Sequence, residues 1–276
     1  MMDLPHFWHR HDGSLPERGP LQQVGLSHDL YRGMPPWFNS FYAHFQRRAV
    51  LRLLRRCAPL DGARVLDVGC GTGRWSELLA ARGARTVGVD VGLRALRLAA
   101  SRPGGGCFGA AGLPYLSFAD EVFDLAISVT VIQHVARAEQ GEAVAALARV
   151  LRPGGWLIVC ELVDPSDPAT HVFANSINEW HALFAAAGLR EVDYVPCEYL
   201  PYVKLFQCVR AWLGRRRPEG SAVPGVSSVA VTLRRWPALA WMLRLAIALS
   251  YPLEYLASWL LPRRCARLGG FLLVKA

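Results

Sequence analysis

The sequence predicts an α/β fold with a doubly wound, mainly parallel sheet, and three observations support this prediction. From residue 64 onward, short apolar runs alternate with helical patterns. Residues 64–75, RVLDVGCGTGRW, have the pattern of a buried strand, a glycine-rich turn and the start of a helix. A second apolar run, TVGVD, ends in Asp90. With 276 residues, the chain is long enough for one large core and for insertions.

The glycine-rich turn indicates the charge of its ligand. Gly69, Gly71 and Gly73 alternate, whereas a dinucleotide fingerprint has the spacing G-x-G-x-x-G and places a pyrophosphate on the helix N-terminus. Glycines allow positive φ and a close approach to the backbone. Because Asp67 lies beside the turn, we expect a ligand with a cationic amine or sulfonium. Asp90 lies 17 residues after Gly73, near the separation at which an acid at the end of a second strand meets the ribose of a bound nucleotide. Asp90 therefore either accepts both hydroxyls of such a ribose or caps its own turn.

This pattern resembles motif I of the class I S-adenosylmethionine (SAM)-dependent methyltransferases. The resemblance covers residues 64–195 and the last strand, and its motifs stand in the family order. They are Leu113–Pro114, Phe123–Asp124 opening strand four, His134–Val135 closing it, and the LRPGG segment. It implies a seven-stranded sheet in which strand seven is antiparallel and pairs with strand six. It also implies SAM as cofactor and S-adenosylhomocysteine as product. The implied cofactor contacts are Asp67, Gly69, Cys70, Gly71, Thr72, Gly73, Asp90, Val91, Ala110, Ala111, Leu113, Ser128 and Val129.

One position departs from the family pattern. Relatives often carry an Asp four residues before the Leu-Pro pair, where it bonds the adenine amino group, but this chain has Gly109. We therefore expect backbone groups around Ala110 and Ala111 to contact the adenine.

The predicted end of strand four supplies the catalytic candidates. His134 follows that strand, where the transferred methyl is expected, so it is our candidate general base; the alternative is that it caps or packs against the next helix. Thr130 and Gln133 are expected to orient the acceptor. Tyr31, Trp37 and Tyr42 of the N-terminal arm either face the site or pack in the core.

Four regions are predicted: an N-terminal arm with a lid helix (1–57), the SAM-binding core (58–197), a helical cap insertion (198–268) and the closing strand (269–276). The insertion contains an amphipathic stretch (202–213), a Gly/Pro/Ser-rich hinge (218–228) and a very apolar stretch ending in arginine pairs. Charged residues and a proline interrupt that stretch, so no transmembrane span is expected. We favour a hydrophobic substrate cap; an in-plane interfacial helix and a dimer interface are the alternatives.

The composition limits the classes of partner and the compartment that we expect for this chain. The net charge of +9 comes from dispersed arginines, with only Lys204 and Lys275 as lysines, so we expect no nucleic-acid partner. The seven cysteines are scattered and never spaced C-x-x-C, which predicts a reducing cytoplasm and no metal site. The N-terminal residues have no apolar core of a secretory signal.

The predicted function is methyl transfer from SAM to a small hydrophobic or lipid-linked acceptor, such as a natural product, isoprenoid, quinone or glycolipid. The predicted location is the cytoplasm, with peripheral contact at the inner membrane surface. One alternative is a nucleic-acid methyltransferase, but the N/D-P-P-Y/F motif is missing after strand four, and Pro196–Cys197 lies after strand six. The other alternative is a non-catalytic SAM-binding relative.

Overall fold

The computed structural model describes residues 34–102, 104, 106–165, 172–199 and 235–276. Seven strands form one sheet in the order β3-β2-β1-β4-β5-β7-β6. In chain order they are β1 (Arg64–Val68), β2 (Arg85–Asp90), β3 (Cys107–Ala110), β4 (Phe123–Val129), β5 (Leu151–Leu162), β6 (Leu189–Glu198) and β7 (Leu268–Lys275). The helices of the described part are α1 (Pro36–Leu54), α2 (Arg74–Ala80), α3 (Leu93–Ala100), α4 (Gln140–Val150), α5 (Ile177–Ala186) and α6 (Pro237–Leu260).

The strand directions match the prediction. Strands β1 to β5 pair in parallel, and β7 runs antiparallel between β5 and β6. Leu268, at the start of β7, pairs with Leu162 on one side and with Glu198 on the other. The chain between β6 and β7 therefore leaves and returns at the carboxyl edge of the parallel strands, where ligands bind in open α/β sheets.

Helices cover both faces of the sheet, because its central strands are apolar on both sides. On one face α4 and α5 pack through Leu147, Trp180 and Phe184. On the other face α1 packs through Val50 and Leu53. The helix expected within the N-terminal arm is present, since α1 begins after Pro35 and its last helical residue is Leu54.

The predicted end of strand four was wrong. We expected His134–Val135 to close the strand, but β4 ends at Val129. Thr130 has a φ of 58°, which turns the chain away from the extended conformation. The following residues, Ile132–His134, form a single 3₁₀ turn.

Three predictions lie outside the described residues: the amphipathic stretch 202–213, the hinge 218–228 and Tyr31. The apolar stretch after the hinge forms α6, with Pro252 inside it. In the part of the chain that the structure describes, no helix combines the length and the apolar character that crossing a bilayer requires.

Candidate active site

The glycine-rich turn after β1 lies against the loop after β4. Gly69, Gly71 and Gly73 have φ values of 66°, 53° and 81°, as predicted. A Cβ built on Gly69 would lie 2.3 Å from a methyl carbon of Val131. Only glycine therefore allows the two loops to meet at this distance.

Asp90 joins the turn after β1 to the turn after β2. One oxygen of its half-buried carboxylate accepts the N–H of Gly71 at 2.8 Å, and the other accepts the N–H of Gly92 at 2.8 Å. Each carboxylate oxygen can accept more than one hydrogen bond. The side chain is thus held rigidly while it keeps the capacity to accept ribose hydroxyls.

Asp67 is buried behind the turn. It is 1% exposed, and one of its oxygens accepts hydrogen bonds from the backbone N–H and the hydroxyl of Ser76, at 2.9 and 2.7 Å. The carboxylate therefore positions the first turn of α2. Its predicted contact with a ligand cation stays a prediction.

Arg102, which the sequence analysis did not identify, secures the same turn from the side. Its guanidinium donates to the backbone oxygen of Thr72 and pairs with Glu77. The Arg102 side chain is only 9% exposed. A single arginine among many gives no sequence signal, so only the structure reveals this contact.

The expected adenine region is open. A Cβ built on Gly109 would meet nothing within 4 Å, Ala110 is exposed, and Val91 and Leu113 are half-buried. The N–H of Ala111 donates to the backbone oxygen of Asp90 at 3.2 Å. Gly109 thus lies on β3 one residue before Ala110, which pairs with Asp90 at the end of β2.

The loop after β4 is held by a buried glutamate at the end of β5. Glu161 is completely buried and accepts the N–H groups of Val131, Ile132 and Gln133 at 2.9, 2.8 and 3.2 Å. Burial raises the pKa of Glu161 to about 8, although the three N–H donors act to lower it. Glu161 is a functional candidate that the sequence analysis missed.

Gln140 of α4 holds the other end of this loop. Its amide nitrogen donates to the backbone oxygens of Ile132 and Val135 at 3.2 and 3.3 Å. Gln133 is also buried, and its side-chain oxygen accepts the N–H of Leu162 at 3.2 Å. Gln133 therefore anchors the loop, and its predicted contact with the acceptor stays a prediction.

His134 and Thr130, like Val131 between them, are half-exposed in this loop. The Nε2 atom of His134 lies 3.4 Å from the side-chain nitrogen of Gln133. A half-exposed imidazole on a firmly held loop has the access that a general base needs. Ser128 and Val129 are the last residues of β4 before the loop, and Cys70 lies within the glycine turn; all three are buried.

A hydrogen bond connects helix α1 to the start of α2, next to the glycine-rich turn. A guanidinium nitrogen of Arg74, the first residue of α2, donates to the side-chain oxygen of Gln46 at 2.8 Å. The aromatic residues of α1 that were candidates to face the site lie in an aromatic cluster. Tyr42 is 3% exposed, and its ring centroid lies 5.2 Å from that of Phe38. Trp37 is half-buried at the edge of that cluster.

Comparison with known proteins agrees with this geometry. A family model described as a methyltransferase domain matches residues 66–159. The demethylmenaquinone methyltransferase of Tropheryma whipplei (strain Twist) is 32% identical over 180 residues, which cover 54% of this chain and 71% of that protein. The chain belongs to the class I SAM-dependent methyltransferase family.

A second relative of this chain is the malonyl-[acyl-carrier protein] O-methyltransferase of Pseudescherichia vulneris. It is 35% identical over 174 residues, and the match covers 63% of this chain and 63% of that protein. The chain thus spans less than two thirds of that relative's length. Among solved structures, the [4+2]-cyclase SpnF has a TM-score of 0.58 at 19% identity, covering 95% of this chain and 98% of that one. This last likeness shows the fold alone.

The residues at the carboxyl edge fit the family's cofactor. The positive-φ glycines keep side chains away from the turn, Asp90 offers acceptors at the end of β2, and the Gly109 position on the neighbouring strand β3 is open. The carboxylate suits the ribose hydroxyls of SAM, and the open position on the next strand suits its adenine.

Replacing Asp90 with alanine is expected to weaken S-adenosylhomocysteine binding tenfold or more. Hydrogen bonds to a charged group contribute about 1.5–3 kcal/mol each, and the variant also loses the acceptor of the Gly71 and Gly92 N–H groups. Calorimetric titration measures the loss. Asp61→Ala, which removes an exposed carboxylate before β1, is the control. Wild-type affinity in Asp90→Ala would contradict the assignment.

Replacing Gly109 with aspartate is expected to strengthen S-adenosylhomocysteine binding several-fold. The position has room for a side chain, and the new carboxylate would restore the adenine acceptor that relatives often carry. Gly109→Ala, which adds only the Cβ, should leave the affinity unchanged. The same titration tests both variants, and equal affinities would show that the adenine does not reach this position.

Proposed function

We propose that this protein transfers the methyl group of SAM to a small hydrophobic or lipid-linked acceptor. The observation that supports this proposal most is that two sets of candidate residues lie at the carboxyl edge of the parallel strands. There the Asp90 carboxylate and the glycine turn form one half of a site, and the firmly held loop with His134 forms the other.

Bound SAM would supply an electrophilic methyl on its sulfonium, and the neutral thioether of S-adenosylhomocysteine would be the good leaving group. The main task of the chain is then to orient the acceptor and to exclude water. The turn after β1, clamped by Arg102 and tied to Asp90, holds the cofactor side. The loop after β4, fastened by Glu161 and Gln140, holds the acceptor side. Two firmly held loops keep the reactants in line with little loss of conformational entropy.

The half-exposed imidazole of His134 removes the proton if the acceptor is a hydroxyl or an acidic carbon. Thr130, next to the turn, has a strained backbone with a φ of 58°, and such strain persists where the surroundings hold it in place. Its hydroxyl donates to the backbone oxygen of Val129 at 2.7 Å. The Thr130 oxygen can therefore accept a hydrogen bond from an acceptor hydroxyl.

The two relatives support the acceptor class by their names. They are a demethylmenaquinone methyltransferase and a methyltransferase for malonyl groups on acyl-carrier protein. Both names describe small molecules or carried groups and not nucleic acids. We extend that class to this chain and place it in the cytoplasm with peripheral contact at the inner membrane surface.

Incubation with methyl-tritiated SAM tests the proposal. The purified full chain is mixed separately with a total lipid extract, a water-soluble small-molecule extract and total RNA from the source organism. We expect label in the lipid extract, and label only in RNA would favour the nucleic-acid alternative. The Asp90→Ala variant controls for label transferred by contaminating enzymes.

The same assay separates a second candidate. The structural neighbour SpnF is called a [4+2]-cyclase, so this fold does not by itself determine the reaction. A chain that binds S-adenosylhomocysteine but labels none of the three extracts would be a non-methylating relative.

A further inference from the structure

One side of helix α6 exposes a continuous apolar surface. Its members recur three or four residues apart and are between 48% and 82% exposed. Over 24 residues the helix is about 36 Å long. We call this surface the outer face; it consists of Trp241, Met242, Leu245, Leu249, Leu253, Leu256, Trp259 and Leu260.

The opposite side of α6 is fastened to the rest of the molecule. Glu254 is 1% exposed and accepts the N–H of Tyr199, directly after β6, at 2.9 Å. Ile247 packs into the aromatic cluster of α1, and the Nε2 atom of His44 is 2.7 Å from the hydroxyl of Tyr255. The outer face is therefore presented by a helix that is held in place.

The charges around the outer face have one sign. None of its eight residues is charged, while exposed arginines stand before the helix (Arg235), within it (Arg244) and after it (Arg263 and Arg264). From residue 235 to the end of the sequence, Glu254 is the only acidic residue, and it is buried on the opposite side. This distribution complements an anionic surface that is apolar beneath its charges.

The position of the tryptophans agrees with such a surface. Trp236 and Trp259 lie near the two ends of α6 and are 60% and 82% exposed. Indole rings favour the boundary between headgroups and acyl chains, because they are apolar with one polar N–H.

A second copy of this chain fits the outer face less well. One helix about 36 Å long and about 10 Å wide offers roughly 400 Å². A stable protein–protein interface buries about 800 Å² on each partner. A lipid surface has no such minimum, since it accommodates any apolar face that lies parallel to it.

We propose that the outer face of α6 docks in the plane of an anionic lipid bilayer. The arginines contact lipid phosphates, and the leucines and tryptophans enter the acyl-chain boundary. Helix α6 precedes β7 at the carboxyl edge of the sheet, so docking brings that edge towards the membrane. Docking itself does not depend on the proposed methyl transfer; that function explains why the site benefits from lying at a bilayer.

Vesicle flotation of the full chain tests the proposal. Equal parts of phosphatidylglycerol and phosphatidylcholine are compared with phosphatidylcholine alone. We expect binding to the anionic vesicles, weakened at high salt. The double variant Leu249→Asp/Leu253→Asp should lower the partition coefficient tenfold or more.

The matched control is Ala145→Asp/Ala185→Asp, which makes the same charge change at exposed positions of α4 and α5. It should bind vesicles as the wild type does. Titration with S-adenosylhomocysteine accompanies every variant, and unchanged affinity shows that the variants are folded. If the wild type binds vesicles but not S-adenosylhomocysteine, the proposed function fails and the docking proposal stands.

Three results would overturn the docking proposal. Equal vesicle binding by the Leu249→Asp/Leu253→Asp variant and the wild type would place lipid contact elsewhere. A wild type that ignores vesicles, and is a dimer that the double variant dissociates in light scattering, would assign the face to a second copy. A monomer that ignores vesicles, and loses only methyl transfer in the double variant, would assign the face to the acceptor.

Discussion

Replacing Glu161 with alanine is expected to lower the free energy of unfolding by about 3–5 kcal/mol. The reason is the set of three backbone N–H groups, of Val131, Ile132 and Gln133, that this one buried carboxylate accepts. A buried donor without an acceptor costs about 1–3 kcal/mol, and alanine removes all three acceptors at once. Chemical denaturation measures the loss.

Glu161→Gln provides a graded comparison. Two of the N–H groups bond the same carboxylate oxygen, and the amide oxygen of glutamine can replace it. The third N–H, of Gln133, would face the new amide nitrogen. We therefore expect a loss of about 1–2 kcal/mol. Glu142→Ala, an exposed carboxylate on α4, is the control, and the loop assignment is wrong if Glu161→Ala is no less stable than that control.

The pH dependence of stability follows from the raised pKa of Glu161. Its ordinary value is 4.5 and burial raises it to about 8, so the folded state binds a proton between these values that the unfolded chain releases. The free energy of unfolding that this bound proton adds is fully present below pH 4.5 and is lost as the pH rises to about 8. The stability gap between the wild type and Glu161→Gln should therefore shrink over this range in thermal melts.

Turnover should respond to Glu161 as well. Thr130 and His134 flank the three residues whose N–H groups the carboxylate holds. Glu161→Ala, assayed well below its melting temperature, is expected to lower kcat more than the affinity for S-adenosylhomocysteine. Equal losses in both would indicate a general loosening of the fold.

Most of the fold could be predicted from the sequence because its signals are local. Apolar runs located β1 and β2, and the alternation of such runs with helical patterns indicated the parallel sheet. The end of β4 could not be predicted in this way. Val131 and Ile132 continue the apolar character of the strand past its end, and only the positive φ of Thr130 reveals the turn.

The two halves of the site differed in how far they could be predicted. Gly69 and Asp90 were identifiable because a glycine turn needs particular residue types at fixed spacing. Glu161 was missed although it has a similar signal, namely an acid at the carboxyl end of an apolar run. Gln140 and Arg102 were missed because their contacts join residues 8 and 30 positions apart, a relation that no local pattern records.

Asp90 and Glu161 are assigned different roles because their surroundings differ. Both end a parallel strand and both accept backbone N–H groups from a neighbouring loop. Asp90 is half-exposed and has acceptors facing the site, whereas Glu161 is completely buried. The first can bind a ligand, and the second can act only through the loop that it holds.

Replacing His134 with alanine is expected to lower kcat by a factor on the order of 10²–10⁴, if the acceptor loses a proton during transfer. The imidazole is half-exposed on a loop whose backbone is fastened on both sides, so its removal should leave the loop in place. The affinity for S-adenosylhomocysteine should remain within about twofold, because Asp90 and the glycine turn are untouched. Steady-state kinetics with the labelled acceptor and calorimetric titration measure the two effects.

A structural role for His134 would give a different pattern. If the imidazole only packs against the loop, alanine lowers the melting temperature and leaves kcat near the wild-type value. If it is the base, the acidic limb of the pH–rate profile disappears in the variant, and added imidazole restores part of the rate. His181→Ala, which removes an exposed histidine from α5, controls for the loss of a histidine elsewhere. A stable His134→Ala variant with wild-type turnover would leave proton removal to the acceptor itself, since a sufficiently acidic or already ionised acceptor needs no base.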